Sequence, residues 1–328
     1  MISNVAPVAG KVPTMGAAAR SWLSPGQCGK VLAAVNHATY LLTDAGDLVW
    51  LAPAQSPLHR RCIRVSSPLP RSVNGSVFTV KGRSIELETG LILDFHVSKI
   101  WTSPAIAAGD IIDIRQVPDK LLALVDQFLA KKTPVGVGSF IRPILQTAIK
   151  QDSPASFQPE DILTRAAWPI VEEIVKACLS HDLPAVLRHA EALIGLGEGL
   201  TPSGDDFLGG LFFARFLLSS IYPTLDYLEL DQLPGWIDAV ESRTNLISFA
   251  LLKDNAAGHA LEPMNCLGLA FLTNQPVGRS SSAASDLIKV GHSTGWSLLT
   301  GFLVGMLLVF PDDLCIPGPQ YEATGFVS

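Results

Sequence analysis

Charge is scarce in this sequence: Asp, Glu, Lys and Arg make up 16% of 328 residues, where soluble domains usually carry about 25%. The net charge is −6 at pH 7, so there is no basic footprint for nucleic acid or an anionic membrane, and only a local anion site stays open. Aromatic residues are few, 7%, and show no basic interleaving of the kind that grips single strands. The five cysteines, Cys28, Cys62, Cys178, Cys266 and Cys315, are odd in number and form no CxxC. That pattern speaks against a disulfide framework and for a reducing, cytoplasmic setting. Long apolar runs are missing as well. The best candidate, Trp296 to Phe310, falls short of the ~20 residues a spanning helix needs and reads as a buried core helix. Residues 1–20 lack a basic n-region and are interrupted by Pro7 and Pro13, which is not the pattern of a secretory signal.

Familiar catalytic motifs are absent too. There is no Gly-Lys-Ser/Thr, no GxGxxG after a strand, no HExxH and no paired Cys/His spacing, and Ser203 sits in Thr-Pro-Ser-Gly rather than in a GxSxG, which excludes the usual sequence signs of nucleotide and zinc sites and of a nucleophile elbow at Ser203. What the chain has in quantity is apolar residues, 48%, and 27 glycines. At this length it can bury a large core without staples, and an extensive subunit interface fits the same composition.

The first third reads as β-structure. Val31–Val35, Thr39–Leu42, Leu48–Leu51, Cys62–Val65, Ser76–Val80, Ser84–Leu87 and Leu91–Phe95 are short runs separated by turn residues such as Asp44-Ala-Gly-Asp47, Asn74-Gly75, Lys81-Gly82 and Thr89-Gly90. Such spacing predicts a small barrel or sandwich, with Ile111–Val117 expected to close it. From Asp119 the period becomes helical. Leu121, Leu122, Leu124, Val125, Phe128 and Leu129 form one stripe, stopped by Pro134. Further helices are expected at about 140–150, at 160–180 with a bend or break before Pro169, from Asp182, and at Phe207–Ile221. The expected class is α+β: a β-rich, barrel- or sandwich-like domain at 1–118, then a larger, mostly helical domain at 119–328.

The most informative segment is Gly195-Leu-Gly-Glu-Gly-Leu-Thr-Pro-Ser-Gly-Asp-Asp-Phe-Leu-Gly-Gly210. Its glycines let backbone approach a ligand, and the free N–H groups and dipole of the following helix favour an anion. Gly197, Gly199, Thr201, Ser203 and Gly204 are therefore candidate anion-binding residues. Ser203, Asp205 and Asp206 are candidates for the chemistry. A capping box, with Ser203 as N-cap and Asp206 at N3, is the plainer alternative for two of them. It leaves Glu198, Asp205 and the glycines unexplained, and carboxylates at the mouth of a buried helix are costly unless they meet a cation, a substrate or water. Glu198, Asp205 and Asp206 are the candidate ligands should a divalent cation bind. No cofactor is required by the sequence.

A weaker copy follows. Ser203-Gly-x-x-Φ-Leu-x-Gly210 aligns with Thr294-Gly-x-x-Φ-Leu-x-Gly301. If this is an internal repeat, two helix starts converge on one anion, with His292, Ser293, Thr294 and Gly295 from the second copy as neutral partners. Between the copies Arg243 is a candidate bidentate clamp on carboxylate or phosphate, with Ser248 nearby; His259 is a loop histidine.

The long Gly-rich motif resembles the signature of the AllH-like family. Arg243-Thr244…Ser248 and Gly291-His-Ser-Thr-Gly295 stand where that family's other two motifs are expected, and Ser297 stands where an Asp is frequent. The resemblance implies a subunit of oxamate carbamoyltransferase in allantoin (purine) catabolism, converting oxalurate and phosphate to oxamate and carbamoyl phosphate together with sister subunits. The implied partners are small anions (phosphate, carbamoyl phosphate, a ureido acid) and sister subunits or further copies of the chain. Donors from the two loops would stabilise the tetrahedral species. Asp205 or Asp206 would hold a cation or exchange a proton with the leaving nitrogen. The competing expectation is a non-catalytic, anion-binding or scaffold subunit.

Overall fold

The structure is a computed structural model that describes residues 8–66, 68–69, 73–105, 110–150 and 157–310. A ten-stranded curled sheet, a half-barrel, precedes a helical region, and the class is α+β. The strands are β1 Val8–Lys11, β2 Thr14–Gly16, β3 Cys28–Val35, β4 Ala38–Thr43, β5 Leu48–Pro53, β6 Cys62–Val65, β7 Val77–Lys81, β8 Ser84–Leu87, β9 Leu91–Asp94 and β10 Lys99–Trp101, with a short helix α1, Ala17–Trp22, after β2. Their order across the sheet is β1-β9-β8-β7-β3-β4-β5-β6-β2-β10. All seven strands read from alternation and turn residues are present.

The three unforeseen strands explain the curl. β1 lies at one edge beside β9, β2 lies near the other between β6 and β10, yet only Val12 and Pro13 separate them. A two-residue link spans such a sheet only if its ends bend toward one another. Val12 N donates to Asp94 O at 3.0 Å, and Pro13 O accepts from Lys99 N at 3.0 Å. The expected closing strand at Ile111–Val117 is not there. Ile111 makes an isolated bridge to Thr273, and Ile114–Gln116 is a 3-10 turn capped by Asp113. Short N-terminal runs broken by glycine and proline carry out the expected task instead.

The helices are α2 Val117–Leu129, α3 Ile141–Lys150, α4 Ile162–Leu179, α5 Leu183–Ala190, α6 Ser203–Ile221, α7 Leu233–Ala239, α8 Leu246–Ala256, α9 Glu262–Leu272, α10 Val277–Leu287 and α11 Thr294–Met306. α4 runs through Pro169 as one helix, where a bend or break was expected. Pro169 and Arg165 both face solvent, so water can serve the carbonyl that the missing N–H leaves free. α11 is buried along almost its whole length, as its apolar run predicts. No described helix is long and apolar enough to cross a membrane.

Two large cores form. One lies inside the sheet and includes Met15, Leu41, Ile63, Phe78 and Leu93; the other fills the helical region around Phe207, Phe212, Phe271 and Phe302. A small third cluster, Ala38, Trp50, Ala52 and Cys62 with Leu251 and Leu261 against it, joins sheet to helices. The polar seam beside it is strong: Arg61 grips Asp254 with Nε at 2.5 Å and Nη2 at 2.8 Å, and Arg64 reaches Glu262 at 2.9 Å.

Candidate functional site

α6 and α11 lie side by side and parallel. A β-carbon on Gly210 would stand 2.1 Å from Leu298 O, and one on Gly301 would stand 1.8 Å from Phe207 O. Phe207 and Leu298 are equivalent in the two copies of the motif, as are Gly210 and Gly301, so the contact is reciprocal. The helix starts match as well. Gly204 N donates to Leu196 O and Gly295 N to Val290 O, at 2.9 and 3.0 Å; Asp206 N donates to Pro202 O and Ser297 N to Ser293 O, at 3.0 and 2.9 Å. Gly204 and Gly295 each press on the end of the preceding helix, where a β-carbon would meet Leu193 O or Leu287 O at 2.0 Å. Only glycine permits such approaches, so the faint sequence echo corresponds to one local structure built twice.

Parallel packing brings two positive helix ends together, an arrangement that an anion or acidic groups between them would favour. The two starts touch through Thr201 Oγ1 and Thr294 Oγ1, 3.0 Å apart. Gly197 adopts φ 122, and a β-carbon there would lie 2.7 Å from Ser203 N, against the donor itself. A β-carbon on Gly291 would likewise stand 3.0 Å from Thr294 Oγ1. Both glycines keep polar atoms of the helix starts clear.

The capping box read from Ser203 and Asp206 does not form. Pro202 is the N-cap, Ser203 is the first helical residue, and no side chain caps the helix. The proline's fixed φ starts the helix directly behind it and moves Ser203 one place inward. Ser203 is buried.

The two aspartates differ sharply. Asp205 is 2% exposed and its carboxylate accepts from Gly195 N at 2.7 Å, from Ser248 Oγ at 2.7 Å and from the Thr244 hydroxyl. It ties the loop, the Thr244 turn and α8 to the start of α6. Asp206 is 7% exposed, and its Oδ2 is buried without a hydrogen-bond partner. Burial pushes its pKa well above the carboxylate range; the Thr294 and Thr201 hydroxyls oppose this and the Asp205 charge adds to it. A buried carboxyl with an unused oxygen is thus held beside the paired helix starts. At the equivalent place in α11, Ser297 Oγ is also buried and unpartnered.

The remaining candidates scatter. Glu198, Gly199 and His292 are exposed, and Ser293 is half-buried near Gly136. Arg243 points outward to Glu191 at 3.5 Å, both well exposed; its carbonyl, not its guanidinium, approaches the loop at Gly195. Among the described residues no three His, Cys, Asp or Glu side chains converge as a metal site requires. The four described cysteines are free thiols, and Cys315 lies outside the described residues.

Several neighbours had no signal in the sequence. Tyr40, from β4, feels the Asp206 charge; burial first and that charge second raise its hydroxyl to about 12. Asn255, buried in α8, abuts Gly209, where a β-carbon would stand 2.7 Å from Nδ2. His59 stacks on Trp50 at 5.0 Å and meets His259 O at 3.0 Å. Burial lowers His59 to about 4, despite the opposing charge of Asp254.

Residues 193–306 match the model of the family described as oxamate carbamoyltransferase subunit AllH. The match begins just before the Gly-rich loop and ends with α11, so it covers both helix starts and the Arg243–Ser248 segment between them. It bears out the resemblance read from the motif, and that description is of a subunit of an oxamate carbamoyltransferase. No solved structure matches the chain.

Proposed function

We propose that this chain is a carbamoyltransferase subunit whose substrate site lies at the paired starts of α6 and α11. It takes a small ureido acid with phosphate, oxalurate and phosphate giving oxamate and carbamoyl phosphate. One observation carries the reading: two Gly-rich helix starts meet in parallel with the Asp206 carboxyl, its Oδ2 unpartnered, at their mouth. The matched family's description supplies the substrate class. Sister subunits or further copies of the chain belong to the same proposal, as does the division of the chain near residue 118.

In the proposed reaction, a phosphate oxygen attacks the ureido carbonyl. The tetrahedral oxyanion faces N–H and hydroxyl donors of the two starts, among them Ser203, Thr201 and Thr294. The carbon–nitrogen bond then breaks. Asp206, protonated because it is buried, gives its proton to the leaving nitrogen and regains one from the phosphate hydroxyl. The phosphate proton thus ends on oxamate, and the charges balance. Asp205 positions the loop and touches no reactant. Arg243 sits at the rim, where releasing Glu191 would let it face an anion.

The test is carbamoyl phosphate formation by the purified chain, alone and with its sister subunits, for wild type and Asp206→Asn. A loss of less than about tenfold in Asp206→Asn overturns the acid–base role, since such groups contribute ~100-fold or more. Binding of phosphate or oxamate without turnover in any combination favours the non-catalytic, anion-binding reading.

A further inference from the structure

At the far end of α6 lies a second cleft, of about 680 Å³, within the size range of small-molecule sites. Its walls come from α6, α7, the C-terminal end of α8 and the segment between α6 and α7. Leu225, Leu230, Leu233 and Ile237 provide much of the apolar surface. Arg215 lies in the wall, nine residues along α6 from Asp206, or about 14 Å. The two places are distinct.

Arg215 is the unusual member. Its Nε is buried and without a partner among the described residues, where its guanidinium bonds through Nη2 to Ser219 Oγ at 3.3 Å. No described carboxylate pairs with it, although the cleft holds three. Asp238 is taken by Lys253 at 3.1 Å, and Glu229 and Asp231 stand exposed at the rim. A buried Nε–H with no acceptor costs free energy, and burial works against the guanidinium's charge. With two cations and three acids lining it, the cleft repels a polyanion. An apolar wall with one guanidinium that no described carboxylate pairs suits a single carboxylate on an apolar body.

We infer that this cleft is a second ligand site, separate from the paired helix starts, that binds a small amphipathic monocarboxylate through Arg215. The carboxylate pairs with the guanidinium and the apolar body lies along Leu225, Leu233 and Ile237.

The experiment is calorimetric titration of the full chain with phenylbutyrate, its neutral amide phenylbutanamide and its cationic analogue phenylbutylamine. Wild type should bind phenylbutyrate saturably and the amide about tenfold more weakly or worse, the cost of losing a charge-assisted bond. Arg215→Met, which keeps the apolar stem, should lose the same factor. Ala257→Trp, an exposed position lining the cleft, should block binding with Arg215 intact and guards against misfolding of the first variant. Asp206→Asn should bind like wild type. The inference is overturned by no saturable binding, by equal binding of the amide, by preference for the amine, by unchanged affinity in Arg215→Met, or by loss in Asp206→Asn.

Discussion

Gly301 lies against Phe207 so closely that a β-carbon on the glycine would stand 1.8 Å from the phenylalanine's carbonyl oxygen, and Gly210 returns the contact to Leu298 at 2.1 Å. This exchange holds two helix starts together and makes two stretches of sequence into one packed unit. Gly301→Ala should therefore destabilise the protein by roughly 1–3 kcal/mol or more, since backbone must shift. Gly235→Ala, in α7 with open space where the β-carbon would go, should stabilise by roughly 0.5–1 kcal/mol through helix propensity. Urea unfolding of both variants checks the pair, and equal effects would refute the close-packing argument.

Asp205 and Asp206 are neighbours with opposite surroundings, so their amides should fail differently. Asp205→Asn places an amide donor among three donors and should cost roughly 1–3 kcal/mol of stability. Asp206→Asn should lower turnover with little effect on phosphate binding. Unfolding curves and kcat measured side by side separate the two; a stable Asp205→Asn enzyme would remove its proposed holding role.

The raised pKa of Asp206 has a signed consequence for stability. Below the ordinary carboxylate pKa both folded and unfolded states are protonated there, and the group has no effect. As pH rises toward the raised folded value, the unfolded state ionises first and is favoured, so stability falls across that window. Asp206→Asn should flatten this fall. Melting temperatures from pH 4 upward test it, and an unchanged slope would mean that the carboxyl ionises freely when folded.

His59 predicts loss on the acid side. Its folded pKa of about 4 lies below the usual 6.5, so stability is full above pH 6.5 and drains as pH falls toward 4, where both states carry the proton. The loss approaches roughly 3 kcal/mol at 1.36 kcal/mol per unit. His59→Gln should remove most of this dependence. An acid limb of the same depth in the variant would place its origin elsewhere.

Asp254→Asn should weaken the seam between sheet and helices by roughly 3 kcal/mol, because it leaves Arg61 buried against a neutral partner. Arg61 is 12% exposed at its side chain and Asp254 is 5% exposed. A double-mutant cycle with Arg61→Met should show strong coupling; additive losses would mean that the two act independently.

Local chemistry made much of this protein legible. Seven strands followed from alternation and from glycine or aspartate turns, where the backbone requirement is met by the residue itself: Gly46 sits at φ 89 and Gly90 at φ 85. The Gly-rich loop stood out as a helix start, and Ser203, Thr201 and Asp206 gather there. A lone arginine in sequence carries no direction, and the Arg243 guanidinium turns to Glu191. β1, β2 and β10 gave no signal: they are three or four residues long and paired with strands far along the chain.

The sequence alone determined the α+β order, the buried character of α6 and α11 and the place of the Gly-rich loop, because periodicity, turn residues and glycine freedom act within a few residues. Tertiary packing decided that the two helix starts stand together, that Asp205 is tied by three donors while Asp206 Oδ2 has none, and that Tyr40 from the sheet feels the Asp206 charge. Partnering and burial fix the charge and reach of a carboxyl, and both are set by residues as distant in sequence as 40, 248 and 294.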